Sequence, residues 1–295
     1  MIFSPSSVDS VTLFDSRFLI KRDDSLHPWY SGNKIRKLYS LFQDEQIHHL
    51  VSYGGYQSNA MLSMAFFAHE KGIRFTYITK PLPDWVGEMT EGNYHHAIRL
   101  GMKHLQVFHT DYHETITRLG ATYPDALVID QGAAHPAAEA GIKMLAEELA
   151  EYIFQERIGN PGVLLPSGTG TTALYLAKHL PESIPVYTTP CVGDAAYLKA
   201  QWHTLEPALP RYPLILATQK KHHFAKPYPE LLEISRRLNA SGIEFDMIYA
   251  PKTWLSYLEN REMLADKSLI YIHTGGVPGN PTQRERYRHK GMLPS

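Results

Sequence analysis

Short apolar runs alternate along the chain with longer segments whose apolar residues recur every three or four positions. A short run bounded by Gly, Pro or polar residues is typical of a buried strand, and the longer spacing is typical of a helix. The pattern predicts nine strands, at residues 17–22, 48–53, 74–79, 104–108, 126–130, 162–166, 184–188, 212–216 and 268–273. It predicts helices at about residues 33–43, 57–71, 91–101, 137–157, 170–180, 192–205, 228–240 and 251–260.

The alternation of strands with helices predicts the fold class. Strands that are separated by helices form βαβ units, whose strands run parallel in one sheet. Nine strands are many for a single sheet, so we predict two α/β domains, each an open parallel sheet with flanking helices. The larger domain is predicted to combine residues 1–41 with 129–295, and the smaller one, residues 42–128, to be inserted between them.

Composition narrows the class of protein. The 295 residues are 43% hydrophobic and 20% charged, which is typical of a globular protein with a proper core. A net charge of −1 indicates no bulk attraction to nucleic acid or anionic membranes, and no apolar run has the length of about 20 residues that a membrane span needs. The first ten residues lack the pattern of a signal peptide, and a single cysteine, Cys191, excludes an internal disulfide framework. We therefore expect a cytoplasmic enzyme or binding protein.

Five glycine-bearing turns stand at the ends of predicted strands. In open parallel sheets ligands bind beyond the carboxyl ends of the strands, and glycine there lets the backbone approach a ligand closely. These turns are therefore the candidate ligand-binding segments. They are SGNKIRK (31–37), SYGGYQSNA (52–60), QGAAHPAAEAG (131–141), PSGTGTTAL (166–174) and HTGGVPG (273–279).

The turn at residues 166–174 joins a buried strand to an amphipathic helix through Ser, Gly and Thr. Successive N–H groups at a helix N-terminus, with hydroxyl groups beside them, form a site that suits phosphate. The turn lacks the Gly-Lys of a P-loop and the spacing of a dinucleotide fingerprint. It therefore predicts a single phosphate on a smaller ligand, unless it only caps its helix.

Two other turns place reactive side chains at helix starts. Lys34 lies two residues after a glycine in a first helical turn, where a positive charge opposes the helix dipole. Gln57, Ser58 and Asn59 open a second helix, although Ser58 or Asn59 alone would serve as an ordinary N-cap. A lysine, a phosphate-type turn and a polar turn in one α/β chain are what a pyridoxal-phosphate enzyme needs.

Four stretches, GNKIRKL, YGGYQSNA, SGTGTT and IHTGGVPG, together resemble the 1-aminocyclopropane-1-carboxylate deaminase / D-cysteine desulfhydrase family. The resemblance runs in the family's order from about residue 17 to residue 279. It implies a tryptophan synthase β-like fold (fold type II) and pyridoxal 5'-phosphate as cofactor. It also implies a small amino-acid substrate and a homodimer.

The resemblance also implies roles for particular residues. Lys34 would be the Schiff-base lysine, and Asn59 would hydrogen-bond the phenolic oxygen of the cofactor. Ser58 would lie over the substrate carboxylate or the reacting carbon, with Gln57 also at the substrate and Tyr249 beside it. Lys34, Ser58 and Tyr249 would then be the catalytic residues. The cofactor would contact Ser167, Gly168, Thr169, Gly170, Thr171 and Thr172 around its phosphate, Lys37 as a counter-charge, and Thr274; Arg36 and Lys37 are expected to lower the pKa of Lys34.

Three positions depart from the deaminases. Ala250 stands where they carry a glutamate that binds the pyridine nitrogen, and Thr274 stands where they carry leucine and the D-cysteine enzymes threonine. A second tyrosine of the deaminases falls on Phe224, with Tyr228 as a displaced candidate. These departures favour α,β-elimination from D-cysteine, which gives pyruvate, ammonia and hydrogen sulfide. The alternatives are 1-aminocyclopropane-1-carboxylate deamination, which gives 2-oxobutyrate and ammonia, and a non-catalytic protein that binds pyridoxal phosphate.

Other chemistry has weaker support in the sequence. His109, His113 and Glu114 lie close together but have no second cluster to complete a ligand set, so we predict no metal. No G-x-S-x-G turn marks a serine hydrolase. His135 is expected to make a local hydrogen bond at a helix start, and Cys191 to be a buried thiol.

Overall fold

The computed structural model describes residues 5–30 and 32–294, so residues 1–4, Ser295 and Ser31, which opens the first predicted turn, lie outside the described part. The strands are β1 (Val8–Leu13), β2 (Ser16–Lys21), β3 (His49–Tyr53), β4 (Arg74–Thr79), β5 (Lys103–Gln106), β6 (Leu127–Val128), β7 (Pro161–Ser167), β8 (Val186–Pro190), β9 (Leu214–Ile215) and β10 (Ser268–Ile272). The helices are α1 (Asn33–Lys37), α2 (Tyr39–Phe42), α3 (Asn59–Lys71), α4 (Asp84–Glu88), α5 (Asn93–Arg99), α6 (Tyr112–Thr117), α7 (Leu119–Thr122), α8 (Ala138–Gln155), α9 (Thr171–His179), α10 (Ala195–Leu205), α11 (Pro229–Asn239), α12 (Ala250–Glu259) and α13 (Asn280–Arg288).

The strands form two sheets. One sheet has six strands in the order β1-β2-β10-β7-β8-β9, and the other has four in the order β5-β4-β3-β6. Every pairing is parallel except that of β1 with β2. The predicted fold class, α/β with two open parallel sheets, is therefore confirmed.

All nine predicted strands are present, and each predicted helix has a counterpart. The predicted helix at 33–43 divides into α1 and α2 at Leu38, whose backbone leaves the helical region. Strand β1 and helices α4, α6, α7 and α13 were not predicted. Helix α13 was missed because its buried residues are Asn280, Thr282, Gln283 and Tyr287, mostly polar, so it has no apolar stripe.

The two sheets take their strands from different parts of the chain. Strands β3 to β6 fall within residues 49–128, and the remaining strands come from both sides of that segment. This distribution supports a division into residues 1–41 with 129–295 and residues 42–128. The exact boundaries stay a prediction.

Helix α8 supports the short helix α1. Its buried residues recur every three or four positions and pack against the six-stranded sheet and α9. Gly141 faces α1 so closely that a Cβ there would lie 2.0 Å from the Arg36 carbonyl oxygen. Because no side chain separates the two backbones, α1 and the lysine that it carries are held against α8.

An ion network buried beneath α1 fixes its orientation. The Arg36 guanidinium donates to both carboxylate oxygens of Asp23 (2.7 Å each) and to Glu148 (2.8 and 2.9 Å). Lys21 on β2 contacts Glu148 (2.7 Å), and Ser6 Oγ donates to Asp23 (2.7 Å). Arg36 and Asp23 have no solvent exposure, so the network ties α1 to β2 from inside the protein.

Candidate active site

A pocket opens where turns from both sheets meet, and it encloses about 480 Å³ of space free of protein atoms, part of it open to solvent. The structure brings into it nearly all the site residues named from the sequence, from segments far apart in the chain. Of those residues, Gln57 alone does not line it. The lining residues are Asn33, Lys34, Lys37, Ser58, Asn59, Ala60, Gly132, Pro166, Ser167, Gly168, Thr169, Gly170, Thr171, Thr172, Tyr249 and Thr274.

Lys34 presents its amine to this pocket from α1. Its Nζ donates to Asn33 Oδ1 (2.8 Å), and Asn33 Nδ2 donates to Thr172 Oγ1 (2.7 Å), so the amine is tied to the start of α9. Burial lowers the pKa of Lys34 to about 8, and the negative charge of Asp246 partly opposes that shift. The amine is therefore uncharged far more often near neutral pH than an ordinary lysine is.

The expectation that Arg36 lowers the pKa of Lys34 is wrong. Arg36 turns away from the pocket, and its charge is neutralised by Asp23 and Glu148, so burial is the main cause of the shift. Lys37 is itself buried and donates to the Gly132 carbonyl (3.0 Å). Burial and the charge of Lys34 lower the pKa of Lys37 well below its usual value.

The turn between β7 and α9 has the features of a phosphate cradle. Gly170 has a φ of +76° and caps α9, and Trp202 Nε1 donates to the Gly170 carbonyl (3.0 Å). The hydroxyls of Thr169 and Thr171 lie 3.0 Å apart on the pocket wall. The Ser167 hydroxyl instead donates to Thr188 (2.6 Å), whose own hydroxyl donates to the Leu165 carbonyl, so Ser167 has no O–H left for a ligand. The N-terminus of α9 faces the pocket and favours an anion there.

Ser58 caps helix α3, Asn59 is the first residue of that helix, and both line the pocket. Ser58 Oγ accepts the Met61 N–H (3.2 Å) at the start of α3, as the capping interpretation predicted. Asn59 Oδ1 accepts from Asn93 Nδ2 (2.8 Å), so its Nδ2 remains as a donor. Asn59 can therefore hydrogen-bond an oxygen of a bound ligand, and Ser58 can offer its hydroxyl.

Gln57 does not reach the pocket. Its Nε2 donates to Gln283 Oε1 (3.0 Å), and its Oε1 accepts from Arg286 (2.6 Å), both on α13. The predicted contact of Gln57 with a substrate is thus not what the geometry provides. Local sequence carries no signal for this orientation, because the two partners lie more than 220 positions further along the chain.

Tyr249 stands at the N-terminus of α12 and forms the wall opposite the phosphate-type turn. A Cβ at Gly168 would lie 3.8 Å from its hydroxyl oxygen, which is ordinary van der Waals contact, so the tyrosine stands directly across from the turn. Burial raises the pKa of Tyr249 far above its usual value, and the hydroxyl stays protonated. The Asp246 carboxylate accepts the backbone N–H groups of Ile248, Tyr249 and Ala250 and thereby fixes this wall.

The aromatic neighbour of Tyr249 is Phe224. The two rings meet edge to face with centroids 5.6 Å apart. Tyr228 instead accepts the His223 N–H at its hydroxyl (3.2 Å) and lies between the ammonium groups of Lys220 and Lys226. The site therefore presents one tyrosine hydroxyl on this wall.

Several residues of the site were not predicted from the sequence. Asn33 stands between the glycine and the lysine of the first motif. Asp246 lies four residues before α12, and an Asp near a helix start is a signal for side-chain bonds to the first N–H groups. Asn93 has no local signal, because its role depends on contact with Asn59. Gly132 lies within the turn at 131–141, whose His135 accepts the Ala137 N–H (3.1 Å), the local bond expected at a helix start.

Two further expectations concern groups outside the pocket. Cys191 is buried, as expected, and burial raises the pKa of its thiol to about 11. Among residues 5–30 and 32–294, no three His, Cys, Asp or Glu side chains are grouped so that they could hold a metal ion.

Gly276→Ala is predicted to destabilise the site. Gly276 has a φ of +99°, and a Cβ there would lie 2.5 Å from Asn59 Nδ2 and 3.2 Å from Asp246 Cβ. Gly242 also has a positive φ (+82°) but faces open space, so Gly242→Ala measures backbone strain alone. We expect a loss in free energy of unfolding of about 1 kcal/mol for Gly242→Ala and about 2–4 kcal/mol for Gly276→Ala. Urea denaturation measures both values. Equal losses would show that the Asn59 side chain moves away from the added Cβ without a further loss of stability.

Two parallel sheets, with a lysine-bearing turn and a phosphate-type turn meeting between them, define the tryptophan synthase β-like fold, fold type II. No family model matches this chain. Over 88% of its length, however, the chain is 26% identical to a D-cysteine desulfhydrase of Serratia proteamaculans and 25% identical to one of Salmonella typhi. Each alignment covers 86% of the relative.

Solved structures show the same fold. An ACC deaminase homologue superposes with a TM-score of 0.80 at 21% identity, covering 98% of this chain and 94% of the other. A hydrogen sulfide-producing enzyme of Fusobacterium nucleatum superposes with a TM-score of 0.67 at 12% identity, covering 93% and 96%. The resemblance inferred from the four motifs is thus confirmed.

Proposed function

We propose that this protein is a pyridoxal 5'-phosphate-dependent enzyme that catalyses α,β-elimination from D-cysteine. One observation carries the proposal: the amine of Lys34 shares a single pocket with a phosphate-type turn and with Ser58, Asn59 and Tyr249. The relatives named D-cysteine desulfhydrase support the choice of substrate.

The residues of the pocket fit the cofactor. The N-terminus of α9, from Gly168 to Thr172, suits a phosphate dianion. Lys37, whose lowered pKa disfavours the expected counter-charge, offers an N–H donor in the same pocket. Lys34 supplies the amine that anchors the cofactor aldehyde, and Asn59 supplies a donor for the phenolic oxygen. When bound, pyridoxal phosphate supplies an electron sink that stabilises negative charge at the substrate Cα.

The side chains of the pocket have separate roles in binding the substrate and in the reaction. Ser58 and the first N–H groups of α3 bind the substrate carboxylate, which the helix dipole favours at this end. Lys34, with its pKa lowered to about 8, takes the Cα proton as general base. Tyr249 keeps its proton and donates a hydrogen bond to the sulfur as that atom gains charge and leaves. Hydrolysis of the remaining fragment gives pyruvate and ammonia alongside hydrogen sulfide.

Ala250 supports elimination over ring opening. Its side chain is a buried methyl group, and its N–H bonds Asp246, so this position offers no carboxylate to a pyridine nitrogen. The electron sink is weaker without that partner. A thiolate leaves readily, whereas opening a cyclopropane ring demands more stabilisation. Thr274, on the pocket wall, is the residue that the resemblance associates with D-cysteine.

Deamination of 1-aminocyclopropane-1-carboxylate is the second candidate, and its support is the structural similarity to an ACC deaminase homologue. Binding of the cofactor without turnover is the third. We also propose a homodimer, as the motif resemblance implies, and a cytoplasmic location, which agrees with the single cysteine. No helix among the described residues is long and apolar enough to cross a membrane.

Product analysis distinguishes the candidates. Purified protein loaded with pyridoxal phosphate would be given D-cysteine, L-cysteine or 1-aminocyclopropane-1-carboxylate, and sulfide, pyruvate and 2-oxobutyrate would be quantified. We expect equal amounts of sulfide and pyruvate from D-cysteine, with kcat/KM at least about 100-fold above that for the cyclopropane amino acid. Production of 2-oxobutyrate would reverse the assignment. Cofactor absorbance without any product would indicate the non-catalytic alternative.

A further inference from the structure

A chain of buried amide side chains runs from α5 through the turn before α3 to the segment after β9. Asn93 Nδ2 donates to the Gln57 carbonyl (3.0 Å) as well as to Asn59. Gln57 Nε2 donates to Gln283 Oε1 (3.0 Å), and Gln283 Nε2 donates to the Ala225 carbonyl (3.1 Å). Gln57 and Gln283 are 3% and 1% exposed, so these bonds form away from water. The chain thus links both sides of the pocket through α13.

The partners at the two ends set the direction of these hydrogen bonds. Arg286 Nη1 contacts Gln57 Oε1 at 2.6 Å, and a guanidinium can only donate. The amide nitrogen of Gln57 must therefore face Gln283, which turns the amide nitrogen of Gln283 toward the Ala225 carbonyl, an obligate acceptor. Each group at the two glutamines is satisfied in one arrangement, so the chain holds its members in fixed positions.

This series of hydrogen-bonded amide side chains ends at Ala225, whose backbone is strained. Ala225 has a φ of +55°, a conformation that is strained for a residue other than glycine and persists only where neighbouring contacts enforce it. Gln283 holds its carbonyl, and Lys252 Nζ holds the carbonyl of His222 (3.1 Å). Between these two contacts lies Phe224, whose ring packs against Tyr249. The strain is thus localised at the residue that follows this ring.

We infer that Gln57 and Gln283 are positioning residues that hold Phe224 against Tyr249 and couple this wall of the pocket to the Ser58–Asn59 turn. Gln283→Leu would leave Gln57 Nε2 and the Ala225 carbonyl buried without partners. Ala225 would then relax from its strained conformation, and Phe224 would move off Tyr249. The inference rests on the proposed function only where it makes Tyr249 part of a substrate site.

Hydrogen exchange tests the coupling without substrate or cofactor. Peptides covering 219–228 and 56–62 would be followed by mass spectrometry in Gln57→Leu, Gln283→Leu and native protein. We expect exchange at 219–228 to be about tenfold faster in both variants, with strands β7 and β10 unchanged. Gln155→Leu is the matched control, since Gln155 is exposed on α8 and its side chain bonds Glu151 within the same helix, and it should exchange as the native protein does.

Gln283→Glu separates the two links of the chain. Burial favours the neutral carboxyl group, so this variant is measured at about pH 9, where the ionised side chain still accepts from Gln57 but has no hydrogen to donate to the Ala225 carbonyl. We therefore expect fast exchange at 219–228 with native exchange at 56–62, whereas Gln57→Leu accelerates both segments. Native exchange at 219–228 in the Leu variants would overturn the inference. Hydrogen exchange that is accelerated evenly over the whole protein would also overturn it.

Turnover provides a separate readout. If the protein degrades D-cysteine, displacement of Phe224 should weaken substrate binding more than chemistry, so KM should rise about five- to tenfold with kcat changed less than about threefold in both Leu variants. A fall in kcat with KM unchanged would contradict a role for the pair in shaping the substrate wall. If the protein does not act on D-cysteine at all, the exchange experiment still decides the coupling.

Discussion

Lys34→Ala is expected to abolish turnover and to remove the absorbance at about 410–420 nm that marks pyridoxal phosphate bound to a lysine. The substitution deletes both the amine that anchors the cofactor and the general base, so kcat should fall by at least about 1,000-fold. The pocket itself should persist, because the backbone of α1 is held by Arg36 and by contact with Gly141 on α8.

Absorbance and product formation are to be measured on the same samples. Lys143→Ala is the matched control, since Lys143 lies on α8 with its side chain 56% exposed, and it should retain both signals. Lys34→Arg keeps a positive charge but cannot anchor the aldehyde, so it should behave as Lys34→Ala does. Retention of the absorbance band in Lys34→Ala would show that another amine holds the cofactor, and the assignment of Lys34 would fail.

Arg36→Met should have the largest effect on stability, a loss of about 3–5 kcal/mol in the free energy of unfolding. The guanidinium satisfies Asp23 and Glu148 at once, and its removal leaves the Asp23 carboxylate buried without its counter-charge. Urea denaturation measures the loss. Arg36→Lys restores the charge but not the paired hydrogen bonds, so an intermediate loss is expected.

The control for Arg36→Met is Arg118→Met. Arg118 also pairs with a carboxylate, Glu114, one helical turn away, but the two side chains are 71% and 64% exposed. We expect a change of less than about 0.5 kcal/mol, because solvent screens an exposed pair. If both variants lost the same stability, burial of the network beneath α1 would not be the reason for its contribution.

The spacing of apolar residues along the sequence predicted most of the fold. Nine of the ten described strands were predicted, because a strand buried in a parallel sheet leaves a short apolar run between turn residues. Strand β1 was missed because its sequence, VDSVTL, mixes polar and apolar residues at the sheet edge. Helix α13 was missed because polar side chains occupy its buried face. Neither element has the apolar pattern on which the prediction depends. Helices α4, α6 and α7 were also missed, and each has only four to six residues.

Short sequence motifs predicted most of the residues of the candidate site. Lys34, Ser58, Asn59 and the turn from Gly168 to Thr172 were named from residue type and spacing, and all of them line one pocket. Such motifs are local, since a glycine next to a reactive side chain at a strand-to-helix turn lies within a few residues. The motifs did not indicate the direction in which each side chain points. The sequence stretch containing Gln57 gives no indication that its amide faces α13.

By itself, the sequence determined the α/β class, the order of the elements and the residue types that meet at the carboxyl ends of the strands. The tertiary structure alone decided that Arg36 is neutralised inside the protein, that Gln57 bonds a residue 226 positions away, and that burial brings the pKa of Lys34 to about 8. The physical reason is that periodicity and turn chemistry act between near neighbours. Burial, charge pairing and desolvation depend on which distant segments close over a group.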